Sequence, residues 1–272
     1  MKGQIIPLRR LPPAAALAPF VRTYEERNSE ISGDRMLRPL TAKPEQFLEF
    51  YLRDRYCVRA PDGTFSVAPR ANVVGVHTRP GGHLLLTGRL HVFTIQFQPT
   101  GFHALFGTPQ GLLTNLATCA GDLMCPSEIS SFTDRLTSAE HMAERSVITN
   151  GWLLARLARL TRVSSPVSWA SRVMVRTGGR IRIDALVERS GLGARQFERR
   201  FHIEVGTQPK RYARILRLRC ALRLRRADPS RSWTGIAVEA GYSDQAHMIH
   251  EFRALSGDRP ANVSAALGDA LA

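Results

Sequence analysis

The 272 residues predict two unlike halves. The first is an α+β domain built on a small antiparallel β-barrel with helices; the second is an all-α domain with two helix-turn-helix motifs joined by a linker helix. Three observations carry this. Short apolar segments broken by Pro, Gly and Asp run from Glu45 to Phe97; apolar residues then change to three- and four-residue spacing after Pro99; and a pattern of about fifty residues repeats near the C-terminus.

In chain order, residues 1 to 40 are expected to be irregular at first, with Leu17 to Arg22 as a strand or short helix. FLEFYL, CVRA, NVVGVHT, GGHLLLTG and HVFTIQF then have strand length. Within the last, Phe93, Ile95 and Phe97 point one way and Thr94 and Gln96 the other, because side chains alternate across a strand. GFHALFG and PQGLLTNLA are helical, as is the run from Pro126 to Arg162, where Ile129, Phe132, Leu136, Met142, Trp152, Leu153, Leu157 and Leu160 keep helical spacing. Ser164, Ser165 and Pro166 interrupt two helical runs, which puts a linker at 163–168 between domains at 1–162 and 169–265. Trp169, Val173 and Val175 open the next helix.

The repeat is specific in its spacing. Leu186, Val187 and Gly191 recur as Ile236, Ala237 and Gly241 at an offset of 50, and Phe197, Phe201, Gly206 and Pro209 recur as Met248, Phe252, Gly257 and Pro260 at 51. Each copy is two helices around a tight turn. Between them Tyr212, Ile215, Leu216 or Leu218, and Ala221 or Leu222 keep helical spacing, so one connecting helix should run from about Pro209 to Arg226.

Charge and composition narrow the function. The chain carries a net +15, and from Pro166 onward 19 Lys+Arg face 10 Asp+Glu. A basic end of this kind suits a polyanion, because each neutralised phosphate releases condensed counterions. No stretch approaches the ~20 apolar residues that a membrane helix needs. Cys57, Cys119, Cys125 and Cys220 have neither CxxC nor zinc spacing, so reduced thiols in a cytoplasmic protein are expected. Pro12, Pro13 and Pro19 break the N-terminal apolar run, which is short for a signal peptide. His77, His83, His91 and His103 lack the HxH and nearby Glu of a metal cupin. Without GxSxG, a phosphate-binding Gly-rich loop or HExxH, neither enzyme chemistry nor a cofactor is expected.

Residues 180 to 260 resemble the DNA-binding domain of the AraC family of transcription regulators: a first helix-turn-helix, GTQPKRY leading into a linker helix, then IAVEAGYSDQAHMIHEFRALSG and Pro260. The sequence departs from the family pattern at Tyr242, where Phe is usual, at His250, where Arg is frequent, and at Ala261-Asn262-Val263, where an aromatic often follows the proline. More weakly, VVGVHTRPGGHLLLTGRLHVFTIQFQPTGFHALFGTPQGLLTN is similar to the cupin-like N-terminal domain of an AraC-like subgroup. The resemblance implies a regulator, activator or repressor, that contacts two successive major grooves of double-stranded promoter DNA. It also implies a homodimer that can engage RNA polymerase, with an effector or dimerisation domain at the N-terminus. A small-molecule effector inside the barrel is one expectation. The alternatives are an interaction module without a ligand and, remotely, a metal-dependent cupin enzyme.

Helical geometry then selects the reading residues. With Phe197, Phe201 and Val205 turned inward, Arg195, Glu198 and Arg199 lie on the opposite face near the helix start, where base edges are reached. The same construction exposes Gln245, Ala246, Ile249 and His250 in the second unit. Arg suits guanine, Gln suits adenine and an apolar side chain suits the thymine methyl. Arg200, His202 and Arg253 are the expected phosphate contacts. Asp244 is expected to cap the second recognition helix, with Ser243 as its competitor.

Overall fold

The computed structural model describes residues 6–160 and 165–267, so 163 and 164 of the expected linker lie outside it. Among the described residues the N-terminal half holds eight strands: β1 (Leu8–Leu11), β2 (Val21–Pro39), β3 (Phe47–Tyr51), β4 (Cys57–Arg59), β5 (Phe65–Val67), β6 (Ala71–Val74), β7 (His83–Phe97) and β8 (Ala117–Cys119). They form one antiparallel sheet in the order β1-β2-β7-β3-β6-β8, with the β4–β5 hairpin added on β7.

Two expectations are corrected. Leu8–Leu11 and Val21–Pro39 are not irregular: β1 pairs with β2, and β2, 19 residues long, pairs with β7 along most of its length. Charged residues such as Glu25, Glu26 and Arg27 hide the strand, since its alternation is not one of apolar against polar. GGHLLLTG and HVFTIQF are one strand, β7. Gly88 looks like a turn signal but stands in mid-strand at a positive φ of 69°, where a Cβ would come within 2.4 Å of Asp54 Oδ2. The register shifts between Ile31 and Met36 of β2, opposite this part of β7. A glycine inside a strand often marks such a bulge.

The alternation of β7 places Phe93 and Ile95, with Leu48 and Phe50 of β3, against α1 (Gly101–Phe106), α2 (Pro126–Ser138) and α3 (Met142–Leu157). Ile129, Phe132, Leu136 and Leu153 fill the other side of this core, and Phe132 stacks on Trp152 at 4.3 Å. Full burial of each such side chain stabilises the fold by about 1.5–3 kcal/mol. The opposite sheet face is mixed: Tyr51, Leu86, Leu90 and Val92 form a second apolar cluster there, beside a row of polar residues. Its central row runs Glu25, Thr94, Glu49, Asn72, Cys119 across β2, β7, β3, β6 and β8.

One ion pair ties the helices to the sheet. The Arg145 guanidinium of α3, 4% exposed, donates to Glu26 Oε1 at 2.8 Å and to the carbonyls of Leu136 and Ala139 at the end of α2. Burial alone would raise the pKa of Glu26, but the hydrogen bond from His91 and the charge of Arg145 outweigh it and hold the carboxyl below its ordinary value. A depressed carboxylate pKa stabilises the fold at neutral pH, and that stabilisation is lost as pH falls through the folded-state pKa.

The C-terminal half is helical: α4 (Pro166–Arg176), α5 (Ile183–Ser190), α6 (Ala194–Val205), α7 (Pro209–Ala227), α8 (Trp233–Ala240), α9 (Gln245–Ser256) and α10 (Pro260–Leu267). The connecting helix α7 spans nearly the residues its spacing predicts. Arg145→Ala should destabilise the protein by about 3–5 kcal/mol, because Glu26 is left buried without its guanidinium. The urea midpoint at neutral pH measures this, and the deficit should shrink in acid.

Candidate nucleic-acid interface

The two units share one construction. Helix α5 ends at Gly191 and α6 at Gly206, as α8 ends at Gly241 and α9 at Gly257, all four with left-handed backbone. In the first unit Leu186, Phe197, Phe201 and Val205 are fully buried with Val167, Ala170 and Met174 of α4. In the second, Ile236, Ala237, Ala240, Met248 and Phe252 are fully buried. The turns and apolar stripes thus present one face of α6 and one face of α9 to solvent.

On α6, Arg195, Glu198 and Arg199 are exposed, and among the described residues their side chains make no hydrogen bond or ion pair. On α9, Gln245, Ala246 and His250 are exposed and Ile249 is half-buried. Gln245 Oε1 accepts from the Thr234 hydroxyl at 2.7 Å, which fixes the amide plane and leaves its NH2 outward. Asp244 is the cap of α9, accepting from the His247 N–H at 2.7 Å, while the Ser243 hydroxyl donates to its other oxygen. These two contacts, the backbone one foremost, hold the Asp244 carboxyl below the usual range. The His247 ring, on the flank, lies 3.0 Å from the Ser243 hydroxyl and edge-on to Tyr242.

The expected phosphate contacts are placed unequally. Arg253 is exposed. Arg200 pairs with buried Glu204 at 3.0 Å and reaches Ser165 Oγ at 3.3 Å. His202 is exposed but its ring lies beside Gly111 of the N-terminal half.

Helix α7 belongs to both units. Tyr212, Ala213 and Leu216 complete the first core, whereas Ile215, Leu218, Cys220 and Ala221 complete the second. At 19 residues it is about 28 Å long. Further contacts that the sequence pattern did not reveal brace the pair. Arg180, before α5, donates to Glu239 O at 2.9 Å and packs on Gly241. Arg214 clasps Glu251 of α9 with both nitrogens, at 2.7 and 3.0 Å. Arg217 lies over the buried Tyr242 ring at 5.9 Å, which makes it a packing residue. No periodicity announces such pairs, because the partners are 37 and 59 residues apart.

Residues 186–266 match the family model of a helix-turn-helix domain, and residues 9–118 match that of a domain of unknown function, DUF6597. No curated protein matches the chain. Among solved structures it is similar to apo ToxT from Vibrio cholerae, at 9% identity over 90% of this chain and 98% of that one, with a TM-score of 0.49. ToxT from the same organism with bound unsaturated fatty acid aligns at 8% identity over 89% and 94%, with a TM-score of 0.45. The family match falls on both helix-turn-helix units and on the helix that joins them, and the C-terminal part of this chain is therefore a helix-turn-helix domain of the AraC type.

Proposed function

We propose that the chain is a sequence-specific DNA-binding transcription regulator that lays α6 and α9 in two successive major grooves. The observation that carries this reading is the pair of exposed recognition faces held by one shared helix. Successive major grooves on one side of the duplex lie about 34 Å apart, and α7, about 28 Å long, has the length scale to hold two heads at that separation. Arg195 and Arg199 have the chemistry to take guanine O6 and N7, Glu198 a cytosine amino group, and the outward NH2 of Gln245 an acceptor on adenine. Ala246 and Ile249 suit thymine methyls, and His250 is a further base contact. Arg253 takes a phosphate; Arg200 and His202 serve only where their contacts to Glu204 and Gly111 permit.

The N-terminal half acts as the sensing and dimerising part. For sensing, the support is a cleft of about 350 Å³ between the sheet and α7, lined among others by Arg22, Glu45, Phe97, Tyr212, Arg219 and Arg223. Arginines beside apolar walls suit a small molecule with an anionic group and an apolar body, so this cleft, and not the core between sheet and helices, is the proposed effector site. For dimerisation, Val147 of α3 is 72% exposed in a groove shared with Ala139, Ala143 and Ile148. Among the described residues no group of three His, Cys, Asp or Glu could hold a metal ion. No helix among them is long and apolar enough to cross a membrane.

The deciding experiment is selection of bound sequences from a random duplex pool by the full-length protein, with a salt titration on the winner and a scramble. A motif of two half-elements about one turn apart that outlasts the scramble in salt supports the reading; no enrichment overturns it. Arg199→Ala should relax preference at one base position, with a loss of about 1–3 kcal/mol there, while the salt slope changes little. Val147→Glu should shift the sedimentation coefficient from dimer to monomer. Medium-chain carboxylates that raise the Tm of the parent should raise that of Arg223→Ala less.

A further inference from the structure

The N-terminal half touches both recognition helices at the same relative place, their C-terminal ends. At the end of α6, Val205 O accepts from Gln46 Nε2 at 2.9 Å, and Gly206 O accepts from the Thr114 hydroxyl. Gly206 sits so close that a Cβ there would come within 3.0 Å of Gln110 O. At the end of α9, Leu255 O accepts from the Ala42 N–H at 2.8 Å, and Gly257 faces Pro80. The last carbonyls of a helix have no donor within it. Here donors from the other domain serve that purpose.

The contacts converge on one short segment. Residues 42–46 lead into β3; Ala42 holds α9, Glu45 pairs with Arg219 of α7 at 3.3 Å, and Gln46 holds α6. The segment is itself anchored. Lys43 and His77 exchange both backbone hydrogen bonds, at 2.8 and 3.0 Å, and the second amide hydrogen of Gln46 goes to Pro99 O at 3.0 Å. Gln46 is 2% exposed, so its amide is sequestered from solvent.

We propose that this segment, together with Thr114, fixes the separation and angle of the two recognition helices, so that Gln46, Thr114 and Ala42 are positioning residues for DNA reading. The proposal rests on the two-headed reading above. Helix α7 and the Arg180–Glu239 contact tie the heads to each other, but neither holds the last turns of α6 and α9, so each head can still tilt. A further tie at those far ends removes that tilt and leaves the N-terminal halves of α6 and α9 free to enter the grooves. Since Pro44 and Glu45 also line the cleft between sheet and α7, a molecule bound there would bear on the same segment.

The test uses the full-length parent, Thr114→Val and Gln46→Ala on duplexes carrying the selected half-elements with the natural spacer and with one or two base pairs added or removed. The parent should lose about tenfold or more in affinity when the spacing changes, whereas the variants should bind all spacings within about threefold, with the parent's salt slope and near-parent Tm. Thr114→Val keeps the shape of the residue and removes only the donor, so it reports even if Gln46→Ala folds poorly. Variants that weaken equally at every spacing, or keep the parent's profile, overturn the proposal. A parent that cannot tell the selected duplex from a scramble overturns the two-headed reading, and this proposal with it.

Discussion

The structure depends on the double burial of α7. A helix with one apolar stripe has one core to serve, but α7 has Tyr212, Ala213 and Leu216 in one cluster and Ile215, Leu218, Cys220 and Ala221 in the other. Its arginines stand at the seams between these stripes and pair with Glu45 and Glu251 or stack on Tyr242 and Trp233. Each unit has few helices, and without α7 each would leave part of its apolar face in water. The shared helix therefore supplies both the stability of each head and the distance between them.

The N-terminal sheet has two unlike faces. One face buries Leu48, Phe50, Phe93 and Ile95 under α1, α2 and α3, with Glu26 and Arg145 as the charged tie between layers. The other carries a polar row, and the edge near the end of β7 closes a cleft against α7. Charge is thereby distributed by purpose: buried and paired where layers meet, clustered as arginines around the cleft, and solvated on the outer faces of α6 and α9.

Much of the second half was legible in the residues. The offset of 50 to 51 between copies, the glycines that end each helix, the spacing of Phe197 and Phe201 or Met248 and Phe252, and the cap at Asp244 are local features, and local features follow from backbone geometry a few residues long. The first half was less legible. β2 was hidden because its buried positions include Glu25 and Glu26, whose burial is tolerable only beside Arg10, Arg27, His91 and Arg145. Gly88 looked like a turn because a bulge and a turn use the same residue.

The sequence by itself determined the two-domain plan, the paired helix-turn-helix units, the connecting helix and the outward faces of α6 and α9, since periodicity and capping act over one or two turns. Only the tertiary structure decided which basic residues stay available. Arg214 and Arg217 are drawn into packing and Arg200 into a pair with Glu204, while Arg195, Arg199 and Arg253 remain exposed. It also decided that residues 42–46 lie across the ends of α6 and α9, a contact between positions some 160 to 210 residues apart along the chain. Such contacts come from shape and from unsatisfied carbonyls meeting distant donors, and neither has a period that a linear pattern can carry.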